Sequence, residues 1–526
     1  MTTTPVPFDA PRRGVGRGPE RRWWTLIAVC GASFMLMVDI TVVQVALPTI
    51  QHGLRASFTD LQWVIDAYAL TLAAFILAFG SLADRVGRKR VFVAALGVFT
   101  LASLLCGAAD SAPALIAARA LQGFGGAAMF ATGLALIGQE FTGAERAKAI
   151  AAWGATLGIA VAAGPLVGGG LTEALGWRSI FFVNAPIGIL TAGIAAARMV
   201  NIADPDAGRL DWAGLATFSG SLFLLILALL RGNDEGWGST LIVSLLLASG
   251  LLMAAFVLAE RHHLRPMFDL SLLRRPAFAG VSAATFAIGA GMFAMLPYLT
   301  FYLQDNLGYS PLTGGLCLLP ASIVCFLVPL TTRAAASKLP PRIVLSAGLA
   351  ITALGLAVMR GLTVSSTWTA LIPGLLLIGI GVGLANPAIA AIALGVVPPQ
   401  RTGMASGISN TFRIAGLAAG VAVLGAVFER RLASSLATQL GYPAGQLATA
   451  LASGATRAPT SLAAQHGLTA ASHQAFVSGI NQILAIGSIL TLSGALAALA
   501  LVRARDFHRP AATPSEHEPI SQPTVA

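Results

Sequence analysis

Three ionisable side chains stand inside stretches that are otherwise almost wholly apolar: Asp39 in MLMVDITVVQVALP, Asp66 in LQWVIDAYAL and Arg119 in ALIAARALQGF. In a soluble core, Asp39 would need only a buried partner and could be an oddity of packing. At the centre of a bilayer a charged side chain costs roughly 2.5–3.5 kcal/mol, so such groups pair or line a wet cavity, and they mark proton or ion pathways. The chemistry on offer is reversible protonation. Burial disfavours a charged carboxylate and a neighbouring guanidinium favours it, so an acid placed here can load a proton on one side and release it on the other as access alternates. Asp39, with Arg119 as its partner, is the leading candidate. Asp66 could take a second proton, attract a cationic substrate, or be an outer-end residue that water reaches.

Whether these stretches cross a bilayer is decided by the rest of the chain. Of 526 residues, 56% are hydrophobic and 10% charged, against the roughly 25% charged of a soluble domain, and mean hydropathy is +0.78. The chain reads as a polytopic membrane protein. Apolar stretches of about 20 residues, long enough to cross a hydrocarbon core of about 30 Å as helices, recur about fourteen times between residues 23 and 502. The ninth is expected at 277–302, the twelfth at 367–396 with room for a break near Pro387, the thirteenth at 403–428 and the fourteenth at 476–502. At about 1.5 Å per residue, Asp39, Asp66 and Arg119 lie roughly 8–12 Å below the outer ends of spans one, two and four. All three then share one layer, facing a common cavity or one another.

The net charge of +11 would suit a nucleic-acid binder, but the basic residues lie in loops. The alternate hydrophilic segments that start with the N-terminus hold 24 of the 33 lysines and arginines, which makes both termini cytoplasmic. The charge is a topology signal, and no nucleic acid is expected as a partner. Residues 1–22 lead into a span too long for a signal-peptide core, so the first helix is expected to stay as an anchor. Cys30, Cys106, Cys317 and Cys325 fall inside spans and are expected as free thiols. The seven histidines are expected in loops or tails, which argues against an intramembrane metal site or a histidine-based enzyme.

An internal repeat organises the spans. LQGFGGAAMF from Leu121 and LIGIGVGLANPAI from Leu377 place Gly123 with Gly379 and Gly125 with Gly381, and Arg146 then aligns with Arg401. Repeated halves are a common transporter plan. The expected divisions are a cytoplasmic tail at 1–22, a six-helix half at 23–204, a two-helix insert at 205–262, a second six-helix half at 263–505 and a cytoplasmic tail at 506–526. The second half carries an external loop at 429–474, rich in Ala, Ser, Gly and Thr.

Two further motifs concern movement. GSLADRVGRKR from Gly80 makes a tight turn: Gly80 and Gly87 permit close backbone approach, Asp84 can face a helix N-terminus, and Arg85, Arg88 and Lys89 can pair with acids or lipid phosphates. In the fifth span, Gly154, Gly158, Gly164 and Gly168 recur at spacings that leave a smooth face for close packing, and Pro165 invites a kink.

The order of these motifs resembles the major facilitator superfamily. GSLADRVGRKR resembles its signature loop, ARALQGFGGAA its fourth-helix motif with Arg119, and AAGPLVGG, which holds Gly164, Pro165, Gly168 and Gly169, its antiporter fifth-helix motif. VDITVVQVALP resembles the first-helix motif of the fourteen-helix drug:proton antiporter branch, and WRSIFFVNAPIG, LGYSPLTGG and MASGISNTFRIAG look like that branch too. Two departures stand out. Gln44 replaces the usual Asn, and TTRAAASKLPPR, the second-half counterpart of the signature loop, lacks the acid, so a lock there should be weaker.

The resemblance implies an all-α major facilitator fold with fourteen helices arranged 6+2+6. It implies exchange of external protons for a hydrophobic, preferentially cationic drug or biocide across the cytoplasmic membrane, without cofactor or metal. Asp39, Asp66 and Arg119 would couple the proton. Phe34, Met37, Gln44, Trp63, Tyr68, Met129 and Tyr298 could line the drug cavity, with Arg413 a polar anchor. Lipid surrounds the protein, and a monomer, with or without a periplasmic adaptor, is the working unit. Export of one metabolite, such as an antibiotic, a lipid or an amino acid, is the alternative. A membrane enzyme would want acid, His or Cys clusters at a membrane face, and a receptor would bind without flux.

Overall fold

The computed structural model describes residues 19–141, 143–201, 212–262, 270–336, 338–397, 402–440, 468–503 and 506. The expected N-terminal tail and nearly all of the C-terminal tail lie outside them. Among the described residues the elements are all helical. The chain opens with α1 (Pro19–Leu54), α2 (Phe58–Val86), α3 (Arg88–Ala108), α4 (Ala112–Glu140) and α5 (Gly143–Leu175), then a span broken into α6 (Ser179–Phe182) and α7 (Asn184–Arg198). A pair follows, α8 (Trp212–Glu235) and α9 (Thr240–His262). The remainder comprises α10 (Pro276–Gly291), α11 (Leu296–Phe301), α12 (Pro311–Ala336), α13 (Pro341–Val358), α14 (Ile372–Gly395), α15 (Thr402–Leu440) and α16 (Leu468–Leu501).

Local chemistry sets these boundaries. Ser57 caps α2 by accepting from the Asp60 amide at 3.1 Å, while Asp60 accepts from the Ser57 amide at 2.9 Å, a reciprocal capping box. Gly87, at φ +105°, lets α2 turn into α3. Pro276, Pro311 and Pro341 each open a helix where a missing N–H does no harm. The two arms of α5 meet at 41° between Ala160 and Ala163, just ahead of Pro165, as a proline inside a helix dictates.

Eleven of the described helices or helix strings are long and apolar enough to cross a membrane, and α5 makes a twelfth if its two arms are one span. The chain is a multi-pass membrane protein. Four expectations change in detail. The ninth span runs past 302: α10 ends at Gly291, a tight turn and α11 follow, and a π-turn at Tyr302–Asn306 closes it, with Pro297 in the first turn of α11. No break occurs at Pro387, which α14 carries inside it. The expected loop 429–474 is helical at both ends, since α15 continues to Leu440 and α16 begins at Leu468; 441–467 lies outside the described residues. His52, His262 and His473 accordingly belong to helix ends, not loops.

Two packed groups emerge. In the first, α2 and α3 pack on α4, and α1 on α5 and α7; in the second, α10 packs on α15 and α16, and α13 and α12 on α14. The groups meet where α5 lies on α12 and α2 on α15. The pair α8–α9 is joined by Ser221 and Ser249, whose hydroxyls donate to each other's carbonyl at 2.9 and 2.8 Å. The Ser219 hydroxyl ties α8 to α2 by donating to Ala74 O at 2.6 Å.

Candidate functional site

Asp39 sits mid-way along α1, fully buried. Its carboxylate is saturated with donors from two other spans. Oδ2 pairs with Arg119 Nη1 at 2.5 Å; Oδ1 accepts from Gln122 Nε2 at 2.8 Å and from Asn184 Nδ2 at 2.9 Å. Arg119, one turn before Gln122 on α4, also donates to Gln122 Oε1 at 2.7 Å and to Val64 O at 3.1 Å, and its guanidinium lies 4.2 Å from the Tyr68 ring centroid. Asn184 reaches Ser103 Oγ at 3.0 Å, and Ser103 donates to Phe181 O at 2.8 Å. One ion pair is thus held by α1, α2, α3, α4 and the α6–α7 break. Sealed from water, such a network is rigid while satisfied, and losing one charge strands the other.

The third ionisable group stands apart, which corrects the expectation of a shared cluster. Val64 and Tyr68, the α2 residues on Arg119, lie about 160° around the helix from Asp66. Asp66 therefore turns to the second group, on the same face as Gln62. There the Tyr298 hydroxyl donates to Val421 O at 3.2 Å, and Gln62 lies against Gly425. Asp66 is fully buried, and neither carboxylate oxygen has a hydrogen-bond partner among the described residues.

The fifth-span glycines face two ways. A Cβ on Gly164 would strike Thr41, and one on Gly168 would sit 2.8 Å from Val42 Cα, so these two let α1 approach. A Cβ on Gly169 would sit 2.6 Å from Pro311 O, and one on Gly315 would meet Pro165 O, so these let α12 approach. Glu173 closes the same contact, accepting from Ser310 Oγ at 2.6 Å and the Leu312 amide at 3.1 Å. Nearby, Gln304 donates to Val45 O at 2.8 Å. The groups are therefore shut together at the end bearing the α1–α2 turn.

At the opposite end, the turn from Gly80 is tied to neighbouring helices. Lys89 donates to Ala196 O at 2.8 Å and Arg88 to Ala135 O at 3.1 Å and Gln139 Oε1 at 3.4 Å. These contacts place cations near the C-terminal ends of α7 and α4, where the helix dipole favours them. A side chain on Gly87 would collide with Asn201, which holds the turn through the Arg90 amide at 3.3 Å. A side chain on Gly80 would meet open space, Arg85 is half-buried, and the Asp84 side chain lies outside the described residues.

Of the expected cavity-lining residues, Met37, Gln44, Tyr68, Met129 and Tyr298 are buried, while Phe34, Trp63 and Arg413 are half-buried. Arg413 Nη2 donates to Asn410 Oδ1 at 2.7 Å. Sequence reasoning missed Gln122, Asn184 and Ser103. Gln122 carried a signal, one turn beyond Arg119 on the same face, and Asn184 stood inside a stretch already singled out.

A family model described as Major Facilitator Superfamily matches residues 29–421. Multidrug resistance protein Stp of Mycobacterium tuberculosis is 36% identical over 417 residues, 79% of this chain and 78% of its own. The tetracenomycin C resistance and export protein of Streptomyces glaucescens is 30% identical over 527 residues, 96% of this chain and 95% of its own. Among solved structures, a bacterial homologue of the human lysosomal transporter Spinster, inward-facing and occupied, gives a TM-score of 0.62 at 17% identity, covering 94% of this chain and 100% of that one. That last likeness bears on the fold alone.

Proposed function

Because this chain belongs to the major facilitator superfamily, we propose that it exports hydrophobic drugs or biocides, lipophilic cations foremost, across the cytoplasmic membrane in exchange for protons. The observation that carries the reading is the buried pair of Asp39 with Arg119, since an intramembrane acid held by a cation is the usual mark of a proton relay. In this reading Asp39 loads and releases the proton, Arg119 sets its charge state, and Asp66 binds a second proton or meets the drug. The α5 and signature-turn residues govern the rocking of one group on the other.

The architecture follows the same reading. Adding α2, α5 and α8 to the apolar spans gives fourteen, with α1–α7 as one six-helix half, α8–α9 as the insert, and α10–α16 as the other half. With both termini cytoplasmic, the shut end faces outside and the drug is admitted from the cytoplasm or inner leaflet. Proton, drug and lipid are the partners, and no catalytic step is involved.

The test is reconstitution in liposomes under an imposed proton gradient, with proton flux followed on adding a lipophilic dye cation. The native chain should release protons, and Asp39→Asn should bind the dye without releasing them. Normal coupling in Asp39→Asn would remove the assignment, and an uncoupled native protein would remove drug antiport. A second reading, export of a single antibiotic-like metabolite, draws on the near full-length match to the tetracenomycin C resistance and export protein. A panel of dyes, biocides and natural products separates the two, since a dedicated exporter would move one natural product and none of the dyes.

A further inference from the structure

A cavity of about 460 Å³ lies between α10, α15 and α16, within the size range of ligand sites. Its walls are mostly small side chains, among them Ala279, Ser282 and Ala290 on α10 and Ser493, Gly494 and Ala497 on α16. Phe412 of α15 closes one flank, and Leu273 lines the end nearer the start of α10. None of these residues takes part in the Asp39 network. The cavity adjoins lipid: Ile489, Leu492 and Leu496 form a row on α16 that is 66, 43 and 60% exposed, and such a row in a multi-pass protein faces hydrocarbon. The wall residues Leu490, Ser493 and Ala497 each stand one position along from it.

Two features of this cavity ask for an occupant. Ser493 donates to Leu490 O at 2.7 Å, the usual recourse of a helical hydroxyl, but Ser282, only 2% exposed, has no hydrogen-bond partner among the described residues. An idle hydroxyl at this depth is costly, so an acceptor that arrived with an occupant would be held there. The second feature is charge at the mouth. Arg274 and Arg503 are exposed, and neither pairs with a described acid. Arg274 directly follows Leu273, and Arg503 stands at the end of α16, where a Cβ on Gly280 would meet Leu501 and Val502. Arg275 is engaged elsewhere, donating to Val396 O at 2.6 Å, and Asp506 takes the α10 N-terminus by accepting from the Ala277 amide at 3.1 Å. The two free guanidinium groups are therefore what an anion at the mouth would meet.

We infer that this cavity holds an acyl chain of an anionic phospholipid, with the phosphate on Arg274 and Arg503 and an ester carbonyl on Ser282. The length suits a chain: from Ala279 to Ala290 the wall runs roughly 16 Å, close to the roughly 15 Å of hydrocarbon in one leaflet. Charge selects the lipid, since a guanidinium binds phosphate through paired N–H donors. A neutral drug would have no use for these cations, and a lipophilic cation would be repelled by them. The inference is independent of the export reading and needs only a chain that spans a membrane. It makes the lipid a filler that joins α10, α15 and α16 within the second group.

The test places the full chain in nanodiscs of zwitterionic lipid doped with phosphatidylglycerol that carries a diazirine on one acyl chain, or with the matching phosphatidylcholine. Cross-linked peptides are then mapped by mass spectrometry. Phosphatidylglycerol should label the cavity walls on α10 and α16, and phosphatidylcholine should label them at least about fivefold less. Arg274→Gln with Arg503→Gln should abolish that preference, and Ala497→Phe, which fills the cavity, should remove wall labelling by both lipids. Equal yields from the two lipids on the native chain would reduce the cavity to ordinary lipid contact and overturn the inference. So would phosphatidylglycerol labelling that the arginine substitutions leave unmoved, or its displacement by rhodamine 6G, which would make the cavity a drug site. If Ala497→Phe fails to fold, the paired arginine variant, altered only at exposed positions, decides alone.

Discussion

Asp39 accepts from Arg119, Gln122 and Asn184, so three side chains on two other spans depend on one carboxylate. Removing a single charge leaves the other buried and unmatched. Asp39→Asn or Arg119→Gln alone should each destabilise the protein by about 3–5 kcal/mol. The double substitution should be less harmful than the two singles added, as measured by denaturation in detergent. Gln122→Leu removes an acceptor from Arg119 and a donor to Asp39 together, and should lose about 1–3 kcal/mol in the same assay. The ion pair was legible in the sequence because a charge in an apolar run must be explained. Gln122 and Asn184 were not, since uncharged polar residues occur throughout membrane helices and only the fold brings 39, 122 and 184 together. The sequence depth argument put Asp66 in the same layer, but depth says nothing about which side of α2 it occupies.

Helices and their breaks were read from hydropathy, which reports what can cross hydrocarbon and not what is helical. That is why α15 outruns its expected end: Glu429, Arg430 and Arg431 stop the apolar run, yet the Ala- and Leu-rich sequence after them keeps the helix going to Leu440. The glycines of α5 were legible as a packing face, but their division of labour was not, because Gly168 and Gly169 are one residue apart and meet different neighbours. This division predicts two phenotypes. Gly164→Leu should wedge α1 from α5 inside one group and lower thermal stability. Gly169→Leu should leave that group intact and hold α12 away. Its expected signature is faster labelling of a cysteine introduced at Val45 by an impermeant thiol reagent, with little change in unfolding. Equal stability losses in the two variants would contradict this account.

Across the whole molecule, the contact of α5 with α12 joins the two groups, whereas the Ser221–Ser249 contact lies within the α8–α9 pair. In a cysteine-free background, Glu173→Cys and Ser310→Cys joined by a short thiol cross-linker should stop transport until reductant is added. Ser221→Cys and Ser249→Cys, whose hydroxyls stand 3.3 Å apart, should form a disulfide that leaves transport running. Arrest by the second cross-link would mean that α8 and α9 slide during the cycle. The group-to-group contact was visible in the sequence only as an internal repeat, since pairing of α5 with α12 joins segments far apart in the chain. The seal itself is made largely of atoms that are not there. At Gly169 and Gly315 the smallest residue already stands against backbone, so any point substitution adds matter and none can tighten the fit. Mutation at these two glycines can therefore move the closure in one direction only. A lineage that needed a firmer seal would have to find it elsewhere, in the polar contacts of Glu173 and Gln304.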